Sequence, residues 1–484
     1  MAMVTRRAVL AGISAALVSG FDPVNRRWIS VAQAAPFAHL PRLDGSIVTD
    51  PASLAPYATD SGSMVHNTPI AVLIPGSVRD IQTMVRFCRC HGIKVAVRGQ
   101  GHTTFGQSTA LGGLVIDMAT ISTIHSISTK LADVDAGATW KQLVNASVPL
   151  GAGCPVLTGY IGLSIGGTLA VGGISPNNRR GAQVDHVKEL WVVTGEGELV
   201  HCSARQNADL FQAVLAGLGQ CGIVVRVVMD MIVAPAKART FVLNYVDNAL
   251  FFQDLRTLLE REELDGTYMF GVPDAGGIIR QLNAIKYYSG STPPDPEHLL
   301  RGLTLPPSAA TIEDQSYLDQ VQTVDVGIDF LKAVGLWDGV LHPWFDTWVP
   351  EDEVESYVGN TLDALTPEDI GPTGFLLLFP LLASQFTRPL FRVPKHSKYV
   401  YLFDILTAAA APGPDPVFEQ KMLQRNRDLY DEALSFGGTR YPIGSVEFDK
   451  QDWRRHYGEA FNDFKRAKRK FDPDGILGPG PGIF

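Results

Sequence analysis

No dense run of lysine and arginine occurs in the 484 residues, and the formal net charge is −9. That excludes a protein whose main business is a nucleic-acid backbone or an anionic membrane surface. Charged residues are only 19% of the chain against 45% hydrophobic, so a large core can be buried and the chain is no disordered tail. With 47 glycines and 31 prolines it is also no low-complexity or collagen-like sequence. Neither a CxxC nor an HxxxH pair is present, so the usual zinc spacings are lacking, and no metal is expected. The five cysteines, Cys88, Cys90, Cys154, Cys202 and Cys221, are odd in number and read as mostly buried small apolar residues. The apolar stretch 9–21 falls short of the roughly 20 residues a membrane span needs, and nothing else in the chain resembles one.

What that stretch does have is context. Arg6 and Arg7 precede it and Ala32-Gln33-Ala34 follows it as a small-residue cleavage signal. The order suggests a twin-arginine-type signal peptide over 1–34, and export of the already folded protein to the periplasm or beyond. An uncleaved amphipathic arm is the alternative.

The remaining length suits two or three domains. Ser77-Val-Arg-Asp80 resembles a capping box opening a helix that His91-Gly92 stops. Residues 94–98 and 113–118 read as strands around the loop RGQGHTTFGQS. Residues 190–194 and 199–202 suggest a hairpin, 209–215 a helix and 223–232 a strongly β-forming strand. After Pro235 the texture changes to amphipathic helices with Pro-rich breaks, a second domain. Trp453, Tyr457, Phe461, Phe464 and Phe471 keep helical spacing up to Asp472-Pro473, and the apolar ending ILGPGPGIF should pack back onto an earlier surface.

Three glycine-rich motifs compete for the function. Gly217-Leu-Gly219-Gln-Cys-Gly222 is a literal GxGxxG, but a helix precedes it and a strand follows, the reverse of a dinucleotide fold, so it reads as a helix C-cap turn. Gly162-Leu-Ser164-Ile-Gly166 is a literal GxSxG, which leaves open a serine hydrolase using Ser164. The loop around Gly99, Gly101 and His102 would let backbone amides approach a diphosphate closely.

At this loop, RGQGHTTFGQS followed by GGLVIDM resembles the flavin-attachment segment of the vanillyl-alcohol-oxidase-type (PCMH-type) FAD proteins, above all the cytokinin dehydrogenases. LSIGGTLAVGG (163–173), NADLFQAVLAGLGQCGIVVR (207–226), Gly335-Leu-Trp-Asp338 with His342-Pro-Trp344, and Trp453-Arg-Arg-His456 with the terminal Ile483-Phe484 resemble further blocks of that family, in its order. The resemblance implies an α+β fold: a two-part FAD-binding domain, 35–236 and 441–484, enclosing a substrate domain of antiparallel sheet with helices, 237–440. It implies FAD held covalently by His102 through one bond, with Arg98, Gly99, Gln100, Gly101, Thr103, Gln107, Ser108, Ser164, Gly166, Gly167, Val224, Tyr441 and Pro481 around the cofactor. A related branch attaches the flavin twice, using a cysteine; the matching place here is near Tyr160, and Cys154, six residues earlier, is the one candidate for a second anchor.

Two departures bear on the substrate. The family's amine-binding Asp is matched here by Gly159, and a second acid by Phe270; Pro481 stands where the family has a glutamine. The resemblance therefore implies an FAD-linked oxidoreductase that takes a hydride from a small alcohol or amine other than a cytokinin, reoxidised by O2 or a quinone-like acceptor. A true cytokinin dehydrogenase lacking the Asp, and a flavin-binding protein without catalysis, are the alternatives. Tyr160, His342 and Trp344 are the candidate catalytic residues, with Tyr268 and Asp346 as further candidate bases.

Overall fold

The computed structural model describes residues 40–274 and 276–484, with two short paired strands, Val18–Asp22 and Arg27–Ser30, ahead of them. The arginine pair and cleavage signal of the leader lie outside the described residues. Among the described residues no helix is long and apolar enough to cross a membrane.

The architecture is α+β. A four-stranded sheet runs in the order Ser46–Val48, Ala71–Ile74, Leu114–Asp117, Val95–Arg98, its last three strands parallel. Helix Val78–His91 makes the crossover and buries Ile81, Met84, Val85 and Cys88. Gly92 ends it at φ 64°, a conformation glycine adopts without cost. The expected capping box is not formed: the Ser77 hydroxyl donates to Asp44, and the Asp80 carboxylate accepts the amides of Asp44, Gly45 and Gly76. Long-range amides outcompete the local cap. The helix leaves Cys90 exposed while the other four cysteines are buried, in keeping with the mostly buried reading.

A five-stranded antiparallel sheet follows, in the order Leu199–Ser203, Val187–Val193, Ile223–Asp230, Leu131–Asp135, Ile124–Ile127. The hairpin, the helix (Ala208–Val214) and the strand after it stand where periodicity puts them. An eight-stranded sheet then carries most of 237–440, with strands Phe375–Leu382, Tyr399–Leu406, Phe345–Pro350 and Thr439–Arg440 adjacent in that order at one side.

The C-terminal segment departs from one continuous helix. Gly458, at φ 52°, separates Lys450–Tyr457 from Ala460–Phe471. The side chains of Trp453, Tyr457, Phe464 and Phe471 enter the same core as Val134, Leu169, Phe211 and Val227, far earlier in the chain. The tail packs back as its apolarity requires: Val95 donates to Ile476 O at 2.8 Å and Gly478 to Val95 O at 3.0 Å, extending the edge of the first sheet. Buried Lys468 anchors it, donating to the carbonyls of Gln220 and Leu477 and pairing with Asp472 at 2.7 Å.

Candidate active site

A cavity lies between two glycine-rich walls. The first wall is the loop that follows strand Val95–Arg98. The Asp60 carboxylate is its anchor, accepting from Thr103 Oγ1 at 2.8 Å, Gly106 N at 2.6 Å and Gly62 N at 3.2 Å. Burial pushes that carboxyl up to about 6, less those hydrogen bonds and the pull of Arg98. The loop is also tied to the C-terminal part: Thr104 Oγ1 donates to Ile443 O at 2.8 Å and receives the Ser445 hydroxyl at 2.9 Å. The amides of Gln100, Gly101, His102 and Thr103 have no partner among the described residues. Donors left free on a cavity wall suit an anionic or carbonyl-rich ligand.

The second wall starts at Ser164, the N-cap of helix Ile165–Val171. A Cβ at Gly99 would collide with the Ser164 hydroxyl, so the two walls meet only because residue 99 has no side chain. Ser164 makes no hydrogen bond to a histidine or acid among the described residues, so a hydrolase triad is not assembled. Tyr441 closes the wall, its hydroxyl accepting Gly173 N at 3.2 Å.

Of the residues the resemblance implies, Gly99, Gln100, Gly101, His102, Thr103, Gln107, Ser108, Ser164, Gly166, Gly167, Val224 and Tyr441 all line the cavity. Arg98 and Pro481 do not. The Arg98 guanidinium lies beneath Gly101 and donates to Thr59 O, bracing the loop from behind. Pro481 offers its carbonyl to the Trp453 indole N–H at 2.9 Å. Cys154 also does not line it; buried near Tyr317, its thiol is pushed up to about 12 and cannot readily become a nucleophile.

Leu218, Gly219, Gly222 and Gly478 line the cavity too, and no site motif of the sequence assigns them to it. The GxGxxG run has a helix before it and a strand after it, as its neighbours predict, but its place as a cavity wall depends on contacts far away in sequence. Ala216 and Leu218 take left-handed backbone there, at φ 55° and 49°, held by bonds from their amides to Leu169 O and Ala170 O. A Cβ at Gly219 would meet no protein atom within 4 Å, so the wall is open at that point.

At His102 the cavity meets an aromatic cage. Its ring lies 5.2 Å from Tyr160, 5.3 Å edge-on from Trp344 and 5.9 Å from Trp337, nearly parallel. Trp337 belongs to the Gly335-Leu-Trp-Asp338 motif, and the structure adds it to the cage. Burial first, then His342 and Lys332, hold the His102 imidazole down at about 3, so it is neutral. His342 is 2% exposed and its ring is 4.8 Å from Trp337. Its Nδ1 donates to Ser61 O at 2.8 Å, which fixes the tautomer and leaves the Nε2 lone pair without a partner among the described residues. Burial lowers its pKa as well. Tyr160 receives Lys332 Nζ at 3.3 Å. Tyr268 is stacked on Phe379, and burial pushes its hydroxyl up to about 12, which leaves it a poor base.

Residues 69–203 match the family described as FAD binding domain, and residues 235–484 match the one described as cytokinin dehydrogenase 1, FAD and cytokinin binding. An uncharacterized oxidoreductase, ORF5 in the fasciation locus of Rhodococcoides fascians, is 34% identical over 89% of this chain and 97% of its own length. Cytokinin dehydrogenase 2 of Arabidopsis thaliana is 30% identical over 91% of this chain and 94% of its own. Cytokinin dehydrogenase 4 of the same plant is 29% identical, over 91% and 93%.

Proposed function

The chain belongs to the FAD-dependent oxidoreductases of the cytokinin dehydrogenase type, and on that premise we propose that His102 carries the flavin through a single covalent bond and that the aromatic cage holds a small alcohol or amine. The observation that carries this reading is the place of His102: a neutral imidazole on the cavity wall, at the point where the glycine-rich walls give way to the cage. The free amides of Gln100–Thr103 and the open wall at Gly219 fit a diphosphate-bearing cofactor. Bound there, FAD supplies a two-electron acceptor for a hydride, made more oxidising by an imidazole on its ring.

The chain supplies the rest. Trp337, Trp344 and Tyr160 exclude water and set the substrate plane. His342, with its tautomer fixed, receives at Nε2 the hydroxyl or amine proton as the carbon gives up its hydride. Oxygen or a quinone-like acceptor takes the electrons onward. The division into 35–236 plus 441–484 around 237–440 belongs to the same reading, supported by the core that the C-terminal helices share with the N-terminal part. So does export through the leader, since a covalent cofactor is best installed before secretion.

The test is direct. The protein should be yellow, and after acid precipitation the colour should stay in the pellet. A yellow supernatant would remove the covalent bond; a colourless, folded protein from a flavin-replete host would remove the reading.

The substrate is proposed to be other than a cytokinin. Phe270 stacks on Phe375 at 5.3 Å, so the second acid's place is apolar, and Gly159 brings no carboxylate. An amine left unpaired costs about 1–3 kcal/mol per group, roughly five- to 150-fold. The names of the relatives favour the other reading, a cytokinin dehydrogenase without that Asp. Gly159→Asp separates them. A Cβ there would meet only Val324, at 3.6 Å, so the side chain fits. The substitution should raise cytokinin turnover at least about fivefold; wild-type turnover near that of other small amines would overturn the proposal.

A further inference from the structure

Asp346 and Asp404 are paired in register on neighbouring strands of the large sheet. Their carboxyls are within hydrogen-bonding reach of each other, and each residue is 4% exposed. Asp346 Oδ2 and Asp404 Oδ1 have no protein partner among the described residues. Alternation along the strands places them. Two residues away on one side, Trp344 and Leu406 belong to the cage cluster; two away on the other, Trp348 and Leu402 belong to the core shared with the FAD-binding part. The pair therefore stands on the sheet face between substrate cage and cofactor wall.

It touches that wall. A Cβ at Gly444 would collide with Asp346 Oδ2, and the Asp346 carbonyl accepts Tyr441 N at 3.1 Å; Tyr441 and Ile443 line the cavity. Arg440 is the cation facing the pair, 3% exposed, donating to Gly444 O at 2.8 Å with its Nε unpartnered. The Tyr441 hydroxyl also feels both carboxyls. Strand Phe375–Leu382 sets only Leu377 opposite Asp404. Tyr430, Asp452, His456 and Tyr457, on the helices behind, face Arg440.

Two buried carboxylates side by side cannot both ionise. We propose that Asp346 and Asp404 act as one proton-sharing positioning unit, whose charge behind the Tyr441–Ile443 wall governs how readily the cavity accepts a hydride. This rests on the flavin reading above. Burial pushes the Asp346 carboxyl up to about 7, offset by the Asp404 donor and Arg440. Burial and the charge of Asp346 hold the Asp404 carboxyl well above the usual carboxylate range too, so the two titrate as a pair. Negative charge arriving in the cavity is opposed once the unit is itself negative.

The experiment compares wild type, Asp346→Asn, Asp404→Asn and the double variant as purified. Between pH 6 and 8 the midpoint potential of the bound flavin should fall more steeply in wild type than in the double variant, where the extra slope is lost. Thermal midpoints give a second reading that needs no flavin. A carboxyl raised in the folded state holds its proton where the unfolded chain has lost it, so stability falls as pH rises above about 4, and both acids contribute. Either single variant should lessen that fall, and the double variant should lose the pair's whole share of it. The same slopes in wild type and the double variant would overturn the proposal. So would a wild type with no extra slope, even if the variants did not fold. A protein without flavin would overturn the reading beneath, while the thermal slopes would still test the pair.

Discussion

Replacing His102 with alanine is expected to give a folded protein that loses its yellow colour to the supernatant in acid and is reduced by substrate at least about tenfold more slowly. The fold should survive because the loop is not held by His102. Asp60 gathers Thr103 and Gly106, and Thr104 is tied to Ile443 and Ser445. What goes is the imidazole at the junction of cavity and cage, and with it the anchor and electron-withdrawing substituent proposed above for the flavin. A tenfold loss is about 1.4 kcal/mol on the barrier, a modest demand on a changed potential. The ring also fills space among Tyr160, Trp337 and Trp344, so the empty site should bind substrate less tightly. Colour that stayed with the His102→Ala pellet would place the attachment elsewhere.

His342→Asn should cost more, on the order of 10²- to 10⁴-fold in the rate of substrate-driven reduction, the usual worth of a positioned proton acceptor. The pH profile separates this role from packing. A base works when neutral, and burial keeps His342 neutral to a lower pH than an exposed histidine. The wild-type rate should therefore hold through pH 6.5 and fall only as pH drops through a pKa beneath that value. The variant should lose that acid limb along with the rate. Stability follows the same sign: a histidine lowered in the folded state costs stability as pH falls below the unfolded value, where only the unfolded chain takes up the proton. An unchanged rate, or a slow variant with the same acid limb, would move the base to Tyr160.

How far the sequence reached depends on the range of the force involved. Strands Val95–Arg98 and Leu114–Asp117 and the stop at Gly92 were legible because alternation and glycine act locally. The loop that lines the cavity was legible because its glycines and His102 lie together. Ser77 was read as a cap because its neighbours permit it, yet Asp80 is claimed by amides from residues 44 and 45. Asp60 gave no signal at all, since nothing around it in sequence marks a carboxylate that gathers a loop some forty residues on. The cage was half legible: Trp344 and His342 stood out, whereas Trp337 acquires its place only when 335–344 turns back over His102. The helix break at Gly458 was hidden by aromatic spacing that continues across it.

The tail carries a consequence for how the cavity can fail. Gly478 lines the cavity, Gln220 Nε2 donates to its carbonyl at 2.7 Å, and Lys468 fixes Leu477 beside it. Residues 476–478 are at once an added edge to the first sheet and part of the cavity wall. Peeling them away would therefore open the chamber and bare a strand edge in one event, so a protease that nicks the tail should weaken ligand retention and raise aggregation together.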